Sequence, residues 1–222
     1  MFGRIAHRYD LMNRLMTFGR DRAWREYVVR QAGLPDDGSL LDVATGTGDI
    51  AFEALRQHPD LMAVGADFSL PMMRTGQRRS LGERVLWCQA DALALPFPDA
   101  TFDAVVSGYL MRNVIDVLAA FREQVRVVRP GGRVVCLDTS PPPHNPLRPL
   151  IMLHFRVVIP SLGRLVAGDG SAYAYLPEST EQFKTPDELA ALMREAGLEN
   201  VCYRRFMFGT IAVHTGVRPL EE

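Results

Sequence analysis

A chain of 222 residues, 47% apolar and 23% charged, is long enough for one sizeable hydrophobic core and short for two. Those fractions exclude disordered and fibrous classes, and a formal net charge of -1 argues against a dedicated nucleic-acid binder, which carries a basic excess. The balance hides an asymmetry. Residues 1–30 hold Arg4, Arg8, Arg14, Arg20, Arg22, Arg25 and Arg30 against Asp10, Asp21 and Glu26, and Lys184 is the only lysine. Arginine suits phosphate and membrane-surface contacts, although a genome-wide base composition accounts for the bias more simply.

Taken in chain order, the first thirty residues predict two short helices. Phe2, Ile5, Ala6, Tyr9, Met12 and Leu15 recur near helical spacing, and so do Trp24, Tyr27, Val28 and Gln31 after Gly19 interrupts the pattern. The apolar run from Ser39 to Val43 predicts a strand entering a glycine-rich turn, with a helix from Ile50 to Gln57. A second strand ends at Asp67, with a helix from Met72 to Arg79, and a third runs from Val85 to Cys88. A fourth spans Phe102 to Ser107, with a helix from Val117 to Val128. Pro130-Gly131-Gly132 predicts a tight turn into a fifth strand from Arg133 to Leu137. Strands and helices alternating at this pitch predict a doubly wound parallel sheet, covered on both faces, whose ligand lies beyond the carboxyl ends of the strands.

Pro141, Pro142, Pro143, Pro146 and Pro149 then end regular structure, and an apolar stretch from Leu150 to Val166 is broken by His154, Arg156, Pro160 and Arg164. Thr185-Pro186-Asp187-Glu188 predicts a helix start and Gly197 its end. Val201 to Phe206 and Thr210 to Gly216 predict a closing antiparallel pair. Together these give an α/β fold with a mostly parallel seven-stranded sheet. It is expected to be a single domain over residues 1–222: N-terminal helices over 1–33, a cofactor-binding core over 34–140, a substrate lid over 141–184, and a helix and strand pair over 185–222. Cys88, Cys136 and Cys202 fall in predicted strands and are expected as buried free thiols of a reducing compartment. The five histidines lack ligand spacing, so no metal is expected. No apolar run approaches the roughly 18 to 20 residues that span a bilayer.

The turn Asp42-Val43-Ala44-Thr45-Gly46-Thr47-Gly48-Asp49 carries the strongest local signal. Gly46 and Gly48 let backbone approach a ligand, and the helix that follows offers free N–H groups. A dinucleotide fingerprint would need a third glycine in register, and Ile50-Ala51 stand there instead. Asp67 ends the next strand, where a carboxylate can accept two ribose hydroxyls. Asp91 and Ala92 follow the third strand, where a carboxylate and an N–H can grip an adenine edge. Three such strand ends in series suit a cationic nucleoside. Taken singly, each glycine is equally an ordinary turn and each acid a helix cap.

The segments Arg8 to Met16, Leu41 to Asp49, Ala94 to Asp99, Arg112-Asn113-Val114, Arg129 to Arg133, Leu162 to Asp169 and Tyr173 to Ser179 resemble those of the ubiquinone/menaquinone-biosynthesis C-methyltransferases. The resemblance implies a class I, Rossmann-like methyltransferase that moves a methyl group from S-adenosylmethionine to a ring carbon of a polyprenyl hydroquinone, demethylmenaquinol above all. The alternative is an enzyme of the same fold acting on another small phenolic or terpenoid acceptor. By position, Thr47, Asp67, Asp91 and Ala92 match the family's cofactor contacts. The family's Ser-Phe-Gly-Leu is here Gly108-Tyr109-Leu110-Met111, so its cofactor-contacting serine corresponds to Gly108, with Ser107 one place early. Its Glu-Phe-Ser-Lys-Pro is here Asp138-Thr139-Ser140-Pro141-Pro142.

The cofactor-binding residues expected are thus Asp42, Ala44, Thr45, Gly46, Thr47, Gly48, Asp67, Phe68, Asp91, Ala92 and Gly108. Arg112 and Asn113, at the expected start of the helix after the fourth strand, and Tyr9 form the catalytic set. An ion pair from Arg112 to Asp116 and a core position for Tyr9 are the structural alternatives. An arginine is a poor base, so Arg112 is assigned to stabilising a phenolate and orienting a water, with Asn113 as its hydrogen-bond partner. The partners expected are the polyprenyl quinol, a transient membrane-surface contact and a second copy of the chain, with no nucleic acid. The expected location is cytoplasmic, peripheral at the inner face of the membrane.

Overall fold

The computed structural model describes residues 17, 19–143, 146, 148–153, 157–158, 161, 180 and 182–220. Tyr9 of the expected catalytic set, the first of the two expected N-terminal helices and most of the expected lid lie outside the described residues. The elements are α1 (Asp21–Ala32), β1 (Ser39–Val43), α2 (Asp49–Gln57), β2 (Met62–Asp67), α3 (Leu70–Gln77), β3 (Val85–Gln89), β4 (Phe102–Gly108), α4 (Val117–Val127), β5 (Val128–Thr139), α5 (Arg148–Leu153), α6 (Pro186–Glu195), β6 (Glu199–Phe206) and β7 (Ile211–Val217). The strands form one sheet in the order β3-β2-β1-β4-β5-β7-β6. The first five pair in parallel, and β7 lies antiparallel between β5 and β6.

This is the expected seven-stranded sheet. The chain winds outward from β1 to β3 and returns beside β1 with β4, so the order reverses between those two strands. There the crossovers leave in opposite directions and a crevice opens at the carboxyl ends. All five residues of β1 are buried, as a central strand covered on both faces requires. On one face Trp24 and Val28 of α1 and Phe52 and Leu55 of α2 pack on Leu40, Ala104 and Val135. On the other, Phe121 of α4 and Leu189 and Met193 of α6 pack on Leu41, Val105 and Val134.

The expected start of α6 is present in full. The Thr185 hydroxyl accepts from the Glu188 N–H at 3.3 Å, and the Glu188 carboxylate accepts from the Thr185 N–H at 2.7 Å, which is a capping box. The fifth strand differs from its expected bounds, starting at Val128 rather than Arg133. Phe102 pairs with Val128 and Ala104 with Arg133, so residues 129–132 bulge out of a continuous strand. Gly131 has φ +79° there, and a Cβ on Gly132 would meet the Asp103 carbonyl at 2.6 Å. Arg218 ties the bulge down: its N–H donates to the Gly132 carbonyl, and its guanidinium donates to the carbonyls of Val125, Arg126 and Val128. A cation at the carbonyl end of α4 also opposes the helix dipole.

Cys136 is buried as expected, whereas Cys202 is exposed and Cys88 half-buried. Their strands lie at or next to the sheet edges, where one face meets water. His214 of β7 is buried, its Nε2–H donating to the Pro186 carbonyl at 2.9 Å. Burial lowers its pKa to about 4. Because that lies below the unfolded value of 6.5, the neutral ring supports the fold above pH 6.5, and this support is lost as pH falls towards 4. Urea titrations should therefore show wild type losing up to about 3 kcal/mol more than His214→Gln between pH 6.5 and pH 4. Parallel stability curves for the two proteins would remove His214 as the cause.

Candidate active site

The crevice at the carboxyl ends of β1, β2 and β4 is a cavity of about 500 Å³, within the range of small-molecule sites. Asp42, Ala44, Thr45, Gly46, Thr47, Asp67, Phe68, Asp91, Ala92 and Gly108 all line it, as do Arg112 and Asn113. Residues up to 71 positions apart among these meet there because parallel strands deliver all their carboxyl ends to one edge.

The glycine turn is held from the sheet. Asp42 is buried, and its Oδ2 accepts from the Thr45 hydroxyl at 2.7 Å and the Ala51 N–H at 3.2 Å. Its Oδ1 has no partner among the described residues. Burial, with Asp67 and Asp49 adding like charge, raises the Asp42 pKa to about 7. Asp67 accepts from the Gly46 N–H and the Ser69 N–H, each at 2.7 Å, and burial raises its pKa too. Asp67 thus ties the turn after β1 to the turn after β2.

Gly46 and Gly48 have φ of +59° and +88°. Ala44 shares this left-handed conformation at +58°, where a Cβ costs about 1–2 kcal/mol. Gly48 departs from expectation: it does not line the cavity, and a Cβ there would meet Trp87 Cη2 at 2.7 Å and Phe52 Cζ at 3.0 Å. Its lack of a side chain serves the packing behind the turn.

Four further residues complete the cavity wall or its support, and sequence reasoning missed them. Asp49 opens α2 and receives Arg25 at 2.9 Å and Arg79 at 2.7 Å. Arg79 also donates to the Thr47 carbonyl and hydroxyl and stacks 4.8 Å above the Phe52 ring. Arg25 bridges on to Asp21 at 2.8 Å. The two pairs to Asp49 span 24 and 30 residues, and no local spacing announces them. Ile50 fills the place opposite Gly108, where a Cβ would meet its Cδ1 at 2.9 Å. Ser107 is fully buried and absent from the cavity wall.

Arg112 and Asn113 sit in a turn before α4, whose N-cap is Asp116, rather than at the start of the helix itself. Asp116 accepts from the Ala119 N–H, and no ion pair to Arg112 forms among the described residues. The Arg112 guanidinium lies 5.2 Å from the Tyr109 ring centroid. Asn113 Nδ2 donates to the Tyr109 carbonyl at 2.7 Å, which commits one side of its amide to holding the turn.

The profile of the ubiE/COQ5 methyltransferase family matches residues 1–218. The chain belongs to that family. It is 50% identical to the ubiquinone/menaquinone biosynthesis C-methyltransferase UbiE of Desulfotalea psychrophila over 98% of this chain and 89% of that protein. It is 48% identical to the demethylmenaquinone methyltransferase of Roseiflexus castenholzii over 98% and 92%, and 45% identical to that of Thermus thermophilus over 99% and 100%. Its fold is similar to that of the [4+2]-cyclase SpnF, with a TM-score of 0.68, 18% identity, and 90% and 81% of the two chains covered. It is also similar to a Haemonchus contortus phosphoethanolamine N-methyltransferase, at 0.67, 14%, 89% and 52%. A cyclase on this fold is a reminder that chemistry resides in the site.

The UbiE family uses S-adenosylmethionine, and the donor set fits it. The cofactor carries a sulfonium and an ammonium, and the cavity wall offers Asp42, Asp49, Asp67 and Asp91 against Arg25 and Arg112. The unpartnered, buried Asp42 Oδ1 is an acceptor awaiting a donor or a positive charge. This gives a proton-linkage test. With its pKa near 7, Asp42 favours the folded chain fully below about pH 4 and loses that contribution as pH rises through 7. A cation beside Oδ1 favours the ionised form, so binding at pH 6 should expel a proton, and affinity should rise from pH 5 to pH 7. Calorimetry in two buffers of different ionisation enthalpy measures this directly; equal heats in both would exclude the linkage.

Proposed function

We propose that this protein transfers a methyl group from S-adenosylmethionine to a ring carbon of a polyprenyl hydroquinone, converting demethylmenaquinol to menaquinol. One observation carries the reading: the Arg112-Asn113 turn and the Asp42-to-Gly46 turn face a single cavity. The names of the Desulfotalea, Roseiflexus and Thermus relatives supply the acceptor class.

When bound, the cofactor supplies an electrophilic methyl group on its sulfonium. The chain's task is alignment and charge stabilisation, since the acceptor must meet that methyl in line at near-attack distance. We assign the ribose hydroxyls to Asp67, whose two carboxylate oxygens each keep capacity beyond the Gly46 and Ser69 N–H groups. Asp91 and Ala92 take the adenine edge, and the exposed Phe68 covers its face. Ala44, Thr45 and Thr47 line the methionine arm with Gly46 and Gly108. Asp42 faces the cationic end.

A hydroquinone carbon is most nucleophilic once a phenolic proton, of pKa about 10, has left. Arg112 stabilises that phenolate and orients the water that receives the proton. Asn113 positions Arg112 through the turn. Tyr9 is assigned to the substrate oxygen or to the sulfonium.

The apolar stretch Leu150 to Val166, with Phe2, Ile5, Met12, Leu15, Met16 and Phe18, is proposed to cover the ring and to guide the tail. Phe68 and Ile115, both highly exposed, stand on the cavity rim, and the β6–β7 hairpin presents exposed Phe208 at the same edge of the sheet. No helix among the described residues is long and apolar enough to cross a membrane. These rim residues support a peripheral contact with the inner face of the membrane, where a polyprenyl substrate dissolves, by a cytoplasmic protein. A homodimer is compatible with this arrangement.

Protein supplied with methyl-labelled S-adenosylmethionine and a short-chain demethylmenaquinol should yield labelled menaquinol. Cofactor binding without transfer to either a naphthoquinol or a benzoquinol would overturn the reading. Asp67→Ala should weaken cofactor binding by about 1.5–3 kcal/mol, the worth of a charged hydrogen-bond pair, and an unchanged dissociation constant would remove it from the ribose.

A further inference from the structure

Asp138, one residue before the end of β5, has 1% of its surface exposed and is absent from the cavity wall, which it backs through its neighbour Leu137. Its Oδ2 accepts the Met111 N–H at 2.8 Å and the Arg112 N–H at 3.4 Å. Its Oδ1 accepts the Thr139 N–H at 2.7 Å. No ion pair within hydrogen-bonding reach joins its carboxylate to the Arg112 side chain among the described residues; the Arg112 charge acts on it through space, and its direct hold on the turn is the pair of backbone bonds.

The turn that it grips is unusual. Tyr109 has φ +58°, a strained conformation for an aromatic residue, and its N–H donates to the Leu137 carbonyl at 2.7 Å. Asn113 closes the turn from the other side, its N–H on the Leu110 carbonyl and its side chain on the Tyr109 carbonyl, at 2.8 and 2.7 Å. The Arg112 guanidinium then folds back over Tyr109. A buried carboxylate is costly unless N–H donors and a nearby cation compensate, and the Arg112 charge lowers the Asp138 pKa against the effect of burial. Here those donors are the amides of Thr139, of Met111 and of the arginine assigned to the phenolate. Holding a catalytic group in place matters because a displacement near 1 Å can cost about a hundredfold in rate.

Resting on the assignment of Arg112 to the phenolate, we propose that Asp138 is a positioning residue for methyl transfer, fixing the Arg112 guanidinium in the cavity by clamping the Met111 and Arg112 amides to the end of β5. It touches neither substrate nor cofactor. An asparagine in its place has one acceptor oxygen and cannot serve both the Met111–Arg112 side and Thr139. A glutamate keeps both oxygens.

The test compares Asp138→Asn, Asp138→Glu, Arg112→Ala and the Asp138→Asn/Arg112→Ala double variant. It uses S-adenosylmethionine and a short-chain demethylmenaquinol, with melting temperature and cofactor affinity measured alongside. Asp138→Asn should lower kcat by about tenfold or more while cofactor affinity changes less than about twofold. Asp138→Glu should keep kcat within about threefold of wild type. The double variant should be no slower than Arg112→Ala, because the clamp acts only through that arginine. Full kcat in Asp138→Asn, multiplicative losses in the double variant, loss of cofactor affinity in step with kcat, or a glutamate variant as slow as the asparagine one would each overturn the proposal. Full kcat in Arg112→Ala would instead remove the arginine from the mechanism, a failure visible in that variant alone. Should Asp138→Asn not fold, the glutamate variant still decides: a melting temperature like wild type with kcat lowered tenfold overturns the clamp.

Discussion

A carboxylate buried at the end of a parallel strand has lost its water and must find N–H donors, and the donors nearest to it are the amides of the loops leaving the strands. Three strands of this sheet end in that way. Asp42 holds the turn into α2, Asp67 joins that turn to the one after β2, and Asp138 holds the turn before α4. The same bonds that make these acids tolerable in the interior fix the geometry of the cavity. Burial still leaves its mark, since the pKa values of all three are raised. Asp42 Oδ1, without a partner among the described residues, shows where compensation stops short.

Much of this was legible in the sequence because it follows from local pattern. Continuous apolar runs such as Ser39–Val43 mark strands covered on both faces, and Thr185 with Glu188 marks a helix start. Asp42 and Asp67 stand at strand ends, so their place at the ligand crevice follows from the winding of the sheet. The assignment of residues 94–99, 112–114 and 162–179 came from resemblance and not from periodicity.

What escaped was long-range or finely conformational. Pro130-Gly131-Gly132 reads as a turn by composition, yet the ladder continues past it because Arg218, some 90 residues away in sequence, holds the bulge. Arg112 reads as a helix opening because nothing local distinguishes a turn at 111–113 from a first helical turn; the cap is Asp116. Gly48 looked like a ligand-facing glycine, and only the packing of Trp87 and Phe52 gives the other reason for it. Asp138 drew notice as a departure from a motif, while its function as an acceptor depends on amides 26 and 27 positions upstream.

Behind the glycine turn, Trp87 fills the space against Gly48 and also against Gly76 of α3. A Cβ at Gly76 would meet the indole Cη2 at 2.3 Å and the Thr47 carbonyl at 2.7 Å. Glycine inside a helix sacrifices up to about 1 kcal/mol, so the close approach has a cost that folding must absorb. In return the turn is pressed into shape between a helix and an indole before any ligand arrives. The conformational entropy of the cofactor loop is surrendered at folding instead of at binding. Affinity for the cofactor is then set partly by residues that never touch it.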